Sequence, residues 1–218
     1  MTCLGASLAL AAGLVVPGEP VGVPVSGDWA ELASQEPGPE RGRRIAAQLI
    51  ASGAVLSHEA QVLAFEAGSR AADALELDLA LTIQEELHAR VGAVWSGFNL
   101  ALTQHRAGDT ASADATLAAF LPTAGPGDRA NLWNQRAIFA LGEGRHGAAR
   151  AYFGRSMARG SADATAILAR EHLAGHNLTA ARTGFRASLN RNPDHPWALR
   201  GWGLALLSAP QPRDRRHP

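Results

Sequence analysis

The sequence predicts an all-α protein, built as an α-solenoid of antiparallel helix pairs. Three observations point there. Aromatic residues are only 6% of a chain that is 46% hydrophobic and rich in alanine, a mix that favours helices over a sandwich or barrel. Small and large residues recur together at a spacing near that of a helical repeat. Helix start and stop signals punctuate the chain in step with that spacing. Nine or ten helices and no strands are expected.

The recurrence is visible in the letters. Ala80, Ala113, Ala149 and Ala181 are separated by 33, 36 and 32 residues. Four residues after each comes Gln84, Leu117, Phe153 or Phe185, and twelve before each comes Gly68, Ala101, Ala137 or Ala169. Adding an ideal repeat of about 34 residues to Ala169 reaches Gly203, small again. Preceding these five positions are Ala67, Leu100, Arg136, Leu168 and Trp202, of which Arg136 alone is not apolar. A small residue in each of two successive helices lets them pack closely, and a large one a turn later fills the space beside the contact. A single hairpin cannot bury both its faces, so such units stack.

This pattern resembles the tetratricopeptide repeat (TPR), a helix–turn–helix unit. The nearest stretch is Ala181, Phe185, Ser188 and Pro193, followed by Leu199, Trp202, Gly203 and Leu206. Trp133 and Ala137 with Ala149, Phe153 and Ser156 form another good unit. The resemblance covers residues 61–207, about two thirds of the chain. Gln84 departs from the expected aromatic and Arg136 from the expected leucine, and the uneven spacings place an altered turn at 123–128. The resemblance implies a right-handed superhelix whose first helices line a concave groove for a peptide or partner helix. The groove positions carried over are Trp95, Phe98, Asn131, Asn134, Ile138, Arg170, Trp197 and Arg200. The family's clamp for a C-terminal carboxylate uses lysine, which this chain lacks altogether.

Local signals order the elements. Residues 1–16 hold an uncharged run of 14, CLGASLALAAGLVV. That is shorter than the about 20 residues of a membrane span and suits the apolar region of a secretory signal. The positive region that normally precedes it is missing, so an apolar tail or docked helix is the other reading. The first reading gives a bacterial protein that is exported, periplasmic or membrane-associated, in preference to a cytoplasmic one. Residues 17–39 are a proline- and glycine-rich linker with one helical turn near Asp28–Ser34. The repeat domain runs over 40–207, with one helix before the first repeat. Asp128 and Ser161 read as N-caps, Gly108, Gly144 and Gly175 as turn residues, and Pro196 as a first-turn proline. A basic tail, 208–218, ends the chain. The final helix, WALRGWGLALL, is apolar with only Arg200 charged. Either the tail covers it, or it docks on another copy or a membrane.

Charge divides along the chain. Residues 1–128 carry 6 arginines against 15 acids, and residues 129–218 carry 14 against 5, while the total is zero. Such a dipole allows head-to-tail self-association or a basic surface for an acidic partner. It is also what arginine stripes solvating outer helix faces would give. The single cysteine, Cys3, excludes an internal disulfide and any multi-cysteine zinc site.

Motifs for chemistry are weak. His172 and His176 stand four apart, a spacing that can hold zinc, but Glu171 precedes the pair rather than sitting inside it. GEGRHG at 142–147 is a helix–helix turn and not a phosphate loop, since no strand precedes it. No serine sits in a nucleophile elbow. The expectation is therefore a non-catalytic protein–protein interaction scaffold without metal or cofactor. Its partner is a protein or peptide, acidic by preference, and not nucleic acid. The alternative is a self-associating structural subunit using its acidic front half and basic rear half. Membrane contact through the N-terminal segment is a separate expectation.

Overall fold

The computed structural model describes residues 27–51 and 55–208. The apolar leader, the linker up to residue 26 and the tail from residue 209 lie outside the described residues. Among the described residues the chain is all-α, with eleven helices and no strand. None of these helices is long and apolar enough to cross a membrane.

The chain divides into two units, Met1–Thr123 and Ala124–Pro218. The first holds α1 (Gly27–Ser34), α2 (Pro39–Ala51), α3 (His58–Asp73), α4 (Leu77–Val91), α5 (Val94–Arg106) and α6 (Thr110–Phe120). The second holds α7 (Pro126–Gly142), α8 (His146–Met157), α9 (Ala162–Ala174), α10 (Leu178–Arg191) and α11 (Pro196–Leu207). Within each unit consecutive helices pack against one another. The break falls in the stretch where the uneven spacing places an altered turn.

Eleven helices exceed the nine or ten expected, and α1 is one that the sequence reading shortened to a single turn. Its Trp29 and Leu32, three apart on one face, are buried with Ile45 and Leu49 of α2. That burial stabilises a helix too short to persist alone. The first unit's core continues through Leu56, Ala60, Ala64, Ile83, Leu87 and Trp95.

The recurring residues are the packing seam. Ala80, Ala101, Ala113, Ala137, Ala149, Ala169 and Ala181 are all buried, and so are Leu117, Phe153 and Phe185. Each buried phenylalanine contributes about 1.5–3 kcal/mol. Gln84, the departure from the pattern, is also fully buried. Glycine at 68 makes room for it: a Cβ there would stand 2.6 Å from the Gln84 amide nitrogen. Gly184 of α10 admits Ala169 of α9 in the same manner, since an added Cβ would lie 2.8 Å from the Ala169 Cβ.

The turns after α3, α5, α7 and α9 share one geometry. Leu75, Gly108, Gly144 and His176 all have positive φ, at 62°, 91°, 74° and 59°. The N–H that follows each donates five residues back: Glu76 to Ala71, Asp109 to Gln104, Arg145 to Ala140 and Asn177 to His172, at 2.8–2.9 Å. This is the Schellman closure of a helix C-terminus. Gly175, expected in the turn, has φ −82° and precedes the left-handed residue.

Helix starts follow their chemistry. Ser161 caps α9, accepting from the Ala164 N–H at 3.1 Å. Asp128 does not cap α7. The helix begins earlier, with Gly125 as cap and Pro126 in its first turn, because proline's fixed φ and missing N–H suit that place. Pro196 opens α11 in the same way, after a His195 cap.

In α11 the register differs from the ideal. The residue packed on Phe185 is Gly201, where an added Cβ would overlap the ring, whereas Gly203 has open space around it. The local period explains this: Ala137, Ala169 and Gly201 are each 32 residues apart.

Candidate functional site

The eight groove positions separate between the units. Trp95 and Phe98 belong to α5 and are 5% and 3% exposed. Trp95 meets Phe65 edge-on, with ring centroids 6.1 Å apart. Both rings fill the first unit's core and present no face to a ligand.

The other six lie in the second unit. Asn131, Asn134 and Ile138 follow the i, i+3, i+7 spacing that makes one stripe on α7. All three are half-buried. The Asn134 Oδ1 is buried without a hydrogen-bond partner, an acceptor whose desolvation is uncompensated. Arg170 of α9 is paired loosely with its neighbour Glu171 at 3.8 Å. Trp197 of α11 is half-buried and Arg200 is exposed. Helices α9 and α11 are in contact, which brings Arg170 and the α11 pair onto neighbouring helices.

His195 joins these helices. Its Nδ1 accepts from the Ala198 N–H at 3.4 Å, so the proton sits on Nε2, which donates to Asp163 Oδ1 at 2.7 Å. The link fixes the start of α11 to the start of α9.

A cationic aromatic cluster on α7 and α8 was passed over at the level of sequence. The Trp133 and Tyr152 rings lie 5.3 Å apart. The Arg136 guanidinium sits 4.9 Å from the Trp133 ring and 4.6 Å from the Tyr152 ring. Arg155 lies 4.5 Å from the Trp133 ring. Stacking of this kind holds a guanidinium without neutralising it. The available signal was an aromatic followed three residues later by arginine on each of two successive helices.

Elsewhere polar groups serve packing. His88 Nδ1 lies 3.0 Å from Ser96 Oγ, and its ring stands against Phe120. Ser96 is fully buried and donates to the Ala93 carbonyl at 2.8 Å, so it is no accessible nucleophile. Burial pushes the His88 pKa below the usual histidine value. Asp109 caps α6, and the Ser112 N–H at 3.0 Å holds its carboxyl below the usual range. His172 and His176 are exposed, at the end of α9 and in the turn beyond it. Among the described residues no group of three or more metal-ligating side chains occurs.

No protein-family model matches the chain, and no curated protein matches it.

Proposed function

We propose that this chain is a TPR-like, right-handed α-solenoid of antiparallel helix pairs and acts as a non-catalytic scaffold for an acidic peptide or partner helix. The observation that carries the reading is the charge of the second unit. Residues 124–218 hold 14 arginines against 6 acids. Among the described residues Arg150 and Arg200 have no partner. Asn131, Asn134 and Ile138 on α7, Arg170 on α9, and Trp197 and Arg200 on α11 form the binding face. The asparagines address a peptide backbone through donor and acceptor alike. The arginines address carboxylates, and Trp197 is the apolar anchor.

The test is selection from a displayed random-peptide library on the full chain. Enriched peptides should be acidic, and Arg170→Ala with Arg200→Ala should weaken them about tenfold, the loss expected of one charge-assisted contact. Peptides without acidic bias, or acidic ones held equally by the double variant, would defeat the reading.

A second reading has its own support. Residues 1–123 carry 6 arginines against 14 acids, so the charge changes sign at the unit boundary. Copies associating acidic unit to basic unit would show concentration-dependent sedimentation that weakens with salt.

A further inference from the structure

We propose a second binding site, a cationic groove between α10 and α11 that takes an acidic peptide segment with an apolar side chain. None of the residues of the binding face above lines it, so it goes beyond that reading.

The groove follows from the sequence of α10. Thr179, Thr183, Arg186 and Asn190 recur at intervals of 4, 3 and 4 residues and so share one face of the helix. With Arg182, and with Trp202 and Leu206 of α11, they border an open groove of about 530 Å³. No acidic residue lines it.

Both arginines are held in place without losing their charge. Arg182 donates from Nε and Nη2 to the Ala205 carbonyl, at 3.2 and 3.0 Å. That carbonyl belongs to the last turn of α11, where acceptors await partners and a cation is favoured. Arg186 lies over the Trp202 ring at 5.3 Å. A carbonyl dipole and a ring face order a guanidinium, and its remaining N–H groups stay free for carboxylates.

The other half of the recognition is apolar. Leu206 is 48% exposed beside Trp202, and Leu207, next along the chain, is 83% exposed. An occupant of complementary charge sets carboxylates on Arg182 and Arg186. It places an aliphatic side chain on Trp202 and Leu206. The threonine hydroxyls and the Asn190 amide remain for its backbone.

The test uses the full chain and a fluorescein-labelled peptide of alternating glutamate and leucine, read by anisotropy. Comparators replace glutamate by lysine, or leucine by serine. The wild type binds the glutamate–leucine peptide, and each comparator binds at least about tenfold more weakly. Arg186→Glu weakens binding about tenfold or more, and Thr183→Asp weakens it in the same direction, with unchanged melting curves. In the Arg170→Gln, Arg200→Gln background, where the face proposed above is disabled, the peptide still binds and Arg186→Glu still weakens it about tenfold, which separates this site from that face. Equal binding by Arg186→Glu, equal binding of the lysine peptide, absence of binding, or loss confined to the Arg170 and Arg200 variant would each overturn the assignment. Sedimentation covers the remaining occupant: a wild-type dimer that Arg186→Glu dissociates gives the groove to a second copy and overturns the peptide.

Discussion

At Gly201 of α11 there is no room for a side chain, because the edge of the buried Phe185 ring occupies the place of a Cβ. Two residues later, Gly203 is surrounded by open space. The same substitution should therefore have opposite signs. Gly201→Ala forces a rigid, fully buried ring to move, an overpacking cost of about 1–3 kcal/mol. Gly203→Ala gains helix propensity and narrows the unfolded ensemble, worth about 0.5–1 kcal/mol. Urea midpoints of the two variants check this, and a stabilising Gly201→Ala would mean that Gly203 is the packed residue after all. The contrast also marks how far the letters could be read. Ala137 and Ala169 already set a period of 32, but the ideal repeat length points to 203. Burial of Trp95 was equally hidden. A tryptophan at a groove position and one closing a core look alike until the edge of Phe65 is seen against it.

Elements repeat through their turns as much as through their faces. The left-handed residue stands five before the buried alanine in all four turns: Leu75 before Ala80, Gly108 before Ala113, Gly144 before Ala149 and His176 before Ala181. Two of these turns use glycine, so their backbone strain is absent. Leucine and histidine pay about 1–2 kcal/mol for the same φ. Leu75 is 77% exposed, so little packing is lost when it is removed. Leu75→Gly and His176→Gly should each stabilise the chain by about 1 kcal/mol, and Gly108→Ala or Gly144→Ala should cost about as much. Thermal melts of the four variants test the pattern, and destabilisation by both glycine substitutions would show that these turns are not strained. A second device recurs with them. The Ser156 hydroxyl donates to the Ala130 carbonyl at 2.7 Å, and the Ser188 hydroxyl to the Ala162 carbonyl at 2.9 Å, each across 26 residues. The sequence showed these serines in register but not their work, since a hydroxyl's partner depends on the packing of two helices.

On the scale of the whole molecule, the charge reversal coincides with the structural division near Thr123. Composition made that reversal legible, and the uneven repeat spacing placed an altered turn, not a division, in the same stretch. What the charges bind was not legible, because a solvated arginine stripe and an anion site have the same letters. Within the second unit the arginine excess has an energetic consequence. Its ion pairs include Arg145 with Glu143 and the loose Arg170–Glu171 contact. Pairs with exposed partners contribute little, typically about 0–1 kcal/mol, so they do not offset the mutual repulsion of the surplus arginines. Salt shortens the reach of that repulsion to about 8 Å near physiological ionic strength. Hydrogen exchange of the amides in α7 to α11 should therefore slow as sodium chloride rises from about 10 mM to about 150 mM, where the Debye length falls from about 30 Å to about 8 Å. Arg150→Gln, which removes an exposed arginine without a partner, should slow it in low salt and reduce the response to added salt. Faster exchange with salt would mean that attraction to opposite charges outweighs repulsion among the arginines.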